Sequence, residues 1–303
     1  MKILITGGSG MVGKNLQNHP GSQQYELLTP SSKELNLLDY HAIVDYLSYT
    51  KPDLIVHAAG KVGGIKANMA DPYGFLYANM TMGFNLVQAA RTTGTTKLLN
   101  LGSSCMYPKD AINPLREEQV LDGKLEPTNE GYALAKISVA KLCIAACNDR
   151  FQYKTLIPCN LYGTWDKFGA TEAHLIPAVI AKVHGIKDTN KAIEIWGTGT
   201  VRREFMFAED LADFIYFVIP QIDKLSDFTN VGIGKDLSIV EYYDAVKDVV
   251  GVNAPYVFDT SKPEGMRQKV VDVTQQAKLG WTPKTDLKTG LKKTYEYYLQ
   301  KVV

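Results

Sequence analysis

The segment Lys2-Ile3-Leu4-Ile5-Thr6-Gly7-Gly8-Ser9-Gly10-Met11-Val12-Gly13 carries the strongest structural signal in the chain. Its apolar half has the composition of a short buried strand, and the glycines follow without a linker. Residues 14–18 then predict the start of a helix. Glycines at 7, 10 and 13 let the backbone turn tightly and approach a pyrophosphate, whose charge is stabilised at a helix N-terminus. The strand–glycine–helix order therefore predicts a dinucleotide-binding motif.

Further apolar runs alternate with helical segments through the first half of the chain. The predicted strands are residues 2–6, about 26–29, about 54–58 and 97–101. Long helices are predicted near 73–92 and at 132–147. This alternation predicts an α/β fold of the Rossmann type, with a doubly wound parallel sheet and ligands at the carboxyl ends of its strands.

The pattern becomes less regular beyond about residue 158. The predicted helices there are residues 176–184, 207–218, 239–250 and 287–299, and the predicted strands are 193–196 and 256–258. We therefore expect two parts. Residues 1–160 form the dinucleotide-binding domain with the catalytic residues, and residues 161–303 form a smaller mixed α/β part that binds substrate, with some late segments returning to the first domain.

Composition excludes several classes of protein. With 45% hydrophobic and 21% charged residues, 303 residues can bury a full core. A net charge of +1 argues against nucleic-acid or anionic-membrane partners, and no apolar run approaches the roughly 20 residues of a membrane helix. Four cysteines without a CxxC pair are typical of a reducing cytoplasm. Cys143 and Cys147, one helical turn apart without partner histidines, are expected in the core, and no metal site is predicted.

The pair Tyr132 and Lys136 indicates the chemistry. An i,i+4 spacing places both side chains on one helix face. An ammonium beside a phenol would lower the pKa of the tyrosine and ease proton transfer near neutral pH. Ser103 and Ser104 follow the 97–101 strand, where a hydroxyl can hold a carbonyl during its reduction. Together with the glycine motif, this set predicts a carbonyl reductase.

The end of the second strand indicates which dinucleotide is bound. A carboxylate there would favour NAD, whereas basic or hydroxyl side chains accommodate the 2′-phosphate of NADP. The chain has Thr29-Pro30-Ser31-Ser32-Lys33, while Glu26 stands at the wrong end of the strand. The expected cofactor is NADP(H).

At this level the chain resembles a known family. Residues 6–13, Ser103, Tyr132 and Lys136 resemble the extended short-chain dehydrogenase/reductases, and longer segments resemble the GDP-L-fucose synthase family within that superfamily. Those segments are residues 59–65, 101–109, 125–130, 160–163, 174–177, 196–197, 203–205 and 261–263. The resemblance implies an NADPH-dependent GDP-4-keto-6-deoxy-D-mannose 3,5-epimerase/4-reductase, active in nucleotide-sugar biosynthesis.

The resemblance also implies roles for individual residues. The reductase triad is Ser103, Tyr132 and Lys136, and the base and acid of epimerisation are Cys105 and His174. Nucleotide-sugar contacts fall on Asn160, Trp196, Arg203 and Lys262, with the two cations facing the diphosphate. Cofactor contacts fall on Gly7, Gly10, Met11, Val12, Gly13, Ser31, Ser32, Lys33, Asp39, Ala58, Ala59 and Gly60, together with Tyr132, Lys136 and His174. A homodimer paired through the Tyr132 helix and its neighbour is implied as well.

The implied chemistry is coherent. A C4 ketone acidifies the protons on C3 and C5, so one thiolate and one opposed acid can invert both centres. Cysteine suits the base role because its pKa, about 8.5, needs only modest lowering.

Departures from the family pattern leave alternatives open. Gly8-Ser9 stands where the family carries an arginine, and residues 30–32 replace another basic position, which leaves Lys33 as the cation for the 2′-phosphate. Residues 164–169 also differ from the family pattern near the sugar. The alternative is a C4-reductase of a GDP-4-keto-heptose with little epimerase activity. A non-catalytic NADP-binding regulator is a third hypothesis, against which the intact Tyr132–Lys136 pair argues.

Overall fold

The computed structural model describes residues 1–169, 173–189, 191–262 and 265–303. The strands within these ranges are β1 (Lys2–Thr6), β2 (Glu26–Leu28), β3 (Leu54–His57), β4 (Lys97–Leu101), β5 (Gln152–Pro158), β6 (Asn160–Tyr162), β7 (Ile193–Trp196), β8 (Arg202–Arg203), β9 (Phe205–Phe207), β10 (Phe228–Val231), β11 (Leu237–Ser238), β12 (Tyr256–Asp259) and β13 (Gln268–Lys269). The helices are α1 (Met11–Asn18), α2 (Tyr40–Thr50), α3 (Ile65–Ala70), α4 (Pro72–Thr93), α5 (Glu130–Ala146), α6 (Leu175–His184), α7 (Ala208–Val218), α8 (Ile239–Val250), α9 (Thr274–Lys278) and α10 (Leu287–Lys301).

A six-stranded parallel sheet forms the centre of the molecule, in the order β10-β5-β4-β3-β1-β2. Helices α2, α4 and α5 cover one face, with Leu47, Val87 and Val139 in their shared core. Helices α1 and α7 cover the other face, where Leu16 and Phe214 are buried. The predicted doubly wound α/β fold of the Rossmann type is confirmed.

Strands β1, β3 and β4 are mainly apolar because both faces of the sheet are covered. Ile3, Leu4 and Ile5 of β1 are all buried, and they divide between the two cores. The strand that precedes the glycines is therefore fixed at the middle of the molecule, so the glycine turn opens at the carboxyl edge of the sheet.

Most predicted elements lie within one or two residues of their observed bounds, although α1 begins three residues before its predicted start. Two strands of the central sheet, β5 and β10, were missed. The other elements that were not predicted are α2, α3, α9, β6, β8, β9, β11 and β13. Strand β10 pairs with β5 although about 70 residues separate them in the chain. A division of the chain near residue 160 remains a prediction, while the sheet itself takes its sixth strand from residues 228–231.

A second core lies among α6, α8 and α10, with the parallel pair β7–β12 beside them. Strand β8 lies between β11 and β13, pairing with β11 antiparallel and with β13 in parallel. These short strands anchor the loops that reach the carboxyl edge of the central sheet. Within the described ranges, no helix is both long and apolar enough to cross a membrane.

Candidate active site

The glycine turn after β1 forms a cradle for a pyrophosphate. Gly7 has φ +74°, and a Cβ there would lie 2.7 Å from the Ala59 nitrogen. A Cβ on Gly13 would lie 2.3 Å from the Gly7 carbonyl oxygen, so glycine is required for α1 to approach the turn. Gly10 caps α1 without a side-chain hydrogen bond, which leaves the first amides of the helix for an anion. These residues fit a dinucleotide.

The loop after β3 closes the other side of this cradle. The Ala59 amide donates to Thr6 Oγ1 at 3.3 Å, and Thr6 Oγ1 lies 2.8 Å from His57 Nδ1. Burial, with the charge of Lys136 adding, lowers the pKa of His57 to about 3, so the imidazole is neutral and structural. The predicted cofactor residues Ala58, Ala59 and Gly60 thus lie against the glycine turn.

The loop after β2 contains a carboxylate near the residues predicted to bind the cofactor. The Ser31 amide donates to Glu34 Oε2 at 2.8 Å, and this contact lowers the pKa of the Glu34 carboxyl. A carboxylate therefore lies beside Ser31, Ser32 and Lys33, so the sequence argument, which considered only Glu26 as an acidic residue here, was incomplete. Asp39 accepts the Ala42 amide at 3.1 Å as the N-cap of α2, so the structure gives it a helix-capping contact.

The residues predicted as the reductase triad lie at the carboxyl end of β4 and on α5. Lys136 Nζ donates to the Leu101 carbonyl at 2.8 Å and lies 5.8 Å from the centre of the Tyr132 ring. Ser103 caps the turn after β4 by accepting the Cys105 amide at 3.2 Å. Three residues distant in sequence from the glycine motif therefore lie together at the same edge of the sheet.

The expected lowering of the tyrosine pKa is wrong. Burial raises the pKa of Tyr132 well above its usual range, Cys105 adds to the rise, and the Ser103 hydroxyl offsets part of it. The Lys136 ammonium donates its hydrogen bond to the Leu101 carbonyl and lies over the Tyr132 ring. The phenol consequently keeps its proton at neutral pH, which is the form a proton donor needs. Burial also lowers the pKa of Lys136 to about 8, with Cys105 opposing.

Two residues that sequence reasoning missed surround the Cys105 thiol. Asn129 Nδ2 donates to Cys105 Sγ at 3.2 Å, and Lys269 Nζ lies 3.5 Å from the same sulfur. Lys269 is only 9% exposed, so its ammonium acts in a poorly solvated environment. Both groups direct a hydrogen-bond donor at the sulfur. Asn129 lies three residues before Tyr132, within the 125–130 segment that resembles the family, so the sequence offered a signal for it. No local sequence pattern indicates Lys269 as a site residue.

Long-range hydrogen bonds hold Lys269 in place. The side chain of Asn113 binds the backbone on both sides of Lys269. Asn113 Nδ2 donates to the Gln268 carbonyl at 3.2 Å, and Asn113 Oδ1 accepts the Val270 amide at 2.9 Å. The buried carboxylate of Glu204 accepts the Val271 amide at 2.7 Å. Strand pairing places Lys269 opposite Arg203. Contacts from Asn113, Glu204 and the strand of Arg203 therefore fix the backbone around Lys269.

His174 is the N-cap residue of α6 and makes no side-chain capping bond. The protein packed around its imidazole lowers its pKa, and the charge of Lys269 lowers it further. Lys269 thus acts on both Cys105 and His174, which places the two residues predicted for epimerisation at one site. A lowered pKa favours the neutral imidazole, which is the form of a base; the expected acid role requires that a proton be supplied to it.

The predicted nucleotide-sugar residues lie on the C-terminal side. Asn160 donates to the Glu204 carbonyl at 2.9 Å, and Arg203 Nη1 donates to the Met266 carbonyl at 2.5 Å. Lys262 Nζ lies 5.8 Å from the centre of the half-exposed Trp196 ring. The next residue of that family segment, Pro263, lies outside the described residues.

A cavity of about 270 Å³ lies beside Tyr132, between α3 and the start of α5. Its lining includes Asn68, Met69, Pro72 and Asn129, so it adjoins both the tyrosine and the Cys105 amide partner. A more open depression of about 450 Å³ lies at the opposite edge of the sheet, against Asp53 and Lys97, where no catalytic group occurs among its lining residues. Of these two cavities, the smaller one therefore adjoins the predicted catalytic residues.

Comparison with known proteins agrees with this geometry. A GDP-L-colitose synthase of Yersinia pseudotuberculosis is 54% identical over 302 residues, covering 99% of this chain and 98% of that protein. A GDP-L-fucose synthase of Azorhizobium caulinodans is 45% identical, with 98% and 96% coverage. The solved GDP-mannoheptose C4 reductase of Campylobacter jejuni with NADP bound is 32% identical, with a TM-score of 0.87 and 98% of each chain covered. The model of the NAD dependent epimerase/dehydratase family matches residues 3–234, and the chain belongs to that family.

Proposed function

We propose that this protein is an NADPH-dependent GDP-4-keto-6-deoxy-D-mannose 3,5-epimerase/4-reductase of the GDP-L-fucose synthase type. The observation that carries the proposal is the placement of Cys105, with Asn129 and Lys269 on its sulfur, beside the Tyr132–Lys136 pair. Reduction of the C4 carbonyl does not require a thiol. A thiol held by an amide and a buried cation supplies the base that epimerisation requires.

The reduction step depends on three residues. Ser103 and Tyr132 hold the C4 carbonyl oxygen, and the phenol gives its proton to that oxygen as the bond order falls. The Lys136 ammonium supports negative charge on the oxygen of Tyr132 after the transfer. NADPH, when bound at the glycine cradle, supplies the hydride.

The epimerisation step depends on Cys105 and His174. The thiolate removes the proton from a carbon next to the ketone, and Lys269 compensates the charge on the sulfur before transfer. His174 returns a proton from the opposite face. Its lowered pKa means that this half of the reaction is favoured at lower pH, where more of the imidazole is protonated.

The cofactor is NADP(H). Gly7, Gly10 and Gly13 form the pyrophosphate cradle, and Ser31, Ser32 and Lys33 lie where the 2′-phosphate is expected. The nearby carboxylate of Glu34 reduces the advantage of NADPH over NADH, because it repels the extra phosphate.

Replacement of the proton donor tests the reductase assignment. Tyr132→Phe removes the hydroxyl and keeps the ring, so NADPH oxidation with GDP-4-keto-6-deoxymannose should fall by roughly a thousandfold. Deuterium exchange at C3 and C5 should continue in the same variant because Cys105 is intact. Unchanged NADPH oxidation would overturn the assignment.

A second candidate is C4 reduction of another GDP-4-keto sugar. The likeness to a GDP-mannoheptose C4 reductase favours a heptose, and the 54% identity to a GDP-L-colitose synthase favours a sugar of the colitose type. In either case Tyr132 and Lys136 keep their roles. Side-by-side turnover of the three keto sugars decides among them, because the correct substrate gives the highest kcat/KM.

A homodimer is proposed from the surface of α4 and α5. The rings of Tyr73 and Tyr77 stack with their centres 5.6 Å apart, and Phe84 lies two helical turns further along the same face of α4. These aromatic side chains and Leu134 of α5 are exposed, and a second copy of the chain would cover them. Light scattering should give twice the monomer mass, and Tyr77→Glu should shift it to the monomer. A monomeric parent protein would contradict the pairing.

A cytoplasmic location remains a prediction. Cys105, Cys143, Cys147 and Cys159 are all free thiols. Free thiols persist in reducing compartments, which is the basis of this expectation. Cell fractionation would test it.

A further inference from the structure

Trp196 lies at the end of β7 with 39% of its surface exposed, and lysines approach its ring. Lys66 Nζ is 4.4 Å from the ring centre, and Lys262 Nζ is 5.8 Å from it. Lys262 and Trp196 come from the C-terminal side, whereas Lys66 lies on α3, in the N-terminal part of the chain. The Lys66–Trp196 contact therefore spans the cleft.

The charges around this ring are unbalanced. Lys182 donates to the Glu194 carbonyl at 2.7 Å. Burial lowers the pKa of Lys182, the charge of Glu194 raises it, and the charge of Lys66 lowers it further. Lys262 is 3.8 Å from Asp259. Among the described residues, no carboxylate forms an ion pair with Lys66. Lysines held together with few counterions mark a place where an anion binds.

Helix α3 is held at the mouth of the cleft. Asn68 donates to the Gly63 and Gly64 carbonyls at 2.9 and 3.1 Å, which ties the helix to its own leading loop. A Cβ on Gly64 would lie 3.6 Å from the Ala173 carbonyl, so this loop touches the residue before His174. Lys66 thus projects from a segment that borders the epimerisation site.

We propose that Lys66 is a substrate-binding residue that holds the diphosphate from the α3 side, opposite Lys262 and Arg203. This inference rests on the proposed function, in which the substrate is a GDP-sugar. The cation–π contact with Trp196 positions the ammonium before the anion arrives, and the diphosphate supplies the missing negative charge. The residue belongs to neither the reductase triad nor the epimerisation pair.

Three variants separate a charge contact from a packing contact. Lys66→Met keeps an apolar stem on Trp196 and removes the charge, Lys66→Arg keeps the charge, and Lys224→Met removes a charge from an exposed position near the start of β10. Calorimetric titration with GDP, guanosine and NADPH at two salt concentrations gives the readout.

We expect Lys66→Met to weaken GDP binding about tenfold and to reduce its salt dependence. Guanosine and NADPH affinity should stay as in the parent protein. Lys66→Arg should restore GDP binding, and Lys224→Met should have no effect. Equal GDP affinity in Lys66→Met and the parent, or equal losses for GDP and guanosine, would overturn the inference. A parent protein that does not bind GDP at all would overturn the proposed function instead.

Discussion

At the scale of single residues, the thiol of Cys105 is the feature on which the proposed epimerisation depends. Its ammonium partner depends on a contact that crosses the fold, since Lys269 is 164 residues away in sequence, whereas its amide partner Asn129 is 24 residues away. We expect epimerisation and reduction to be separable by substitution, because the groups that serve them are different.

Lys269→Gln tests the role of the buried cation. Without the ammonium, negative charge on Cys105 is less stable, so deuterium uptake at C3 and C5 should fall by roughly 10- to 100-fold. NADPH oxidation should fall much less. Mass spectrometry of the sugar, together with absorbance of NADPH, measures both. Lys278→Gln, at the exposed end of α9, is the matched control. Equal losses in both activities would contradict this role.

The pKa of Lys136 predicts a pH dependence for reduction. Burial lowers that pKa to about 8, so the ammonium is present below pH 8 and is lost as the pH rises through it. The rate of NADPH oxidation should therefore decline above about pH 8. The raised pKa of Tyr132 keeps the phenol protonated across the same range. A rate that stays level to pH 10 would show that the charge of Lys136 is not required.

Glu34 predicts a change in cofactor preference. Glu34→Gln keeps an oxygen to accept the Ser31 amide and removes the negative charge. The ratio of kcat/KM for NADPH over NADH should rise several-fold, because the 2′-phosphate loses a repulsive neighbour. Glu26→Gln, at the other end of β2, is the control and should leave the ratio unchanged. An unchanged ratio in Glu34→Gln would place the 2′-phosphate elsewhere.

At the scale of elements, the close contact of α4 and α5 positions the reductase pair. A Cβ on Gly83 would lie 2.3 Å from Val139 Cγ2. Gly83→Ala should therefore destabilise the protein by about 1–3 kcal/mol through overpacking. Adding Val139→Ala removes the clashing methyl groups and should recover part of the loss. Urea unfolding measures both variants. If the double variant is less stable than Gly83→Ala alone, the clash is not the cause.

Local patterns predicted some elements and missed others for a physical reason. Strands β1 and β4 are mainly apolar, and α5 has helical spacing throughout, so neighbours in sequence suffice to identify them. Strand β10 is Phe-Thr-Asn-Val. Its Asn230 is fully buried only because the Tyr107 hydroxyl and the Leu115 carbonyl satisfy its amide. Those partners lie more than 100 residues away, so no local pattern marks the strand.

At the scale of the whole molecule, the site is where the central sheet meets the segments that follow residue 160. The glycine turn and the Tyr132–Lys136 spacing are local, and the sequence predicted them with their neighbours. Lys269 reaches Cys105 because Asn113, Leu115 and Glu204 anchor residues 268–272 across the cleft. Such convergence exists only in the folded chain, which explains why this part of the site could not be predicted.

The most direct test of the proposed function is the reaction in D₂O with GDP-4-keto-6-deoxymannose and NADPH, followed by mass spectrometry of the sugar product. We expect a reduced product with two carbon-bound deuterium atoms, one at C3 and one at C5, introduced through Cys105 and His174. A reduced product without deuterium would contradict it, because the thiol and the imidazole would then take no part in the reaction.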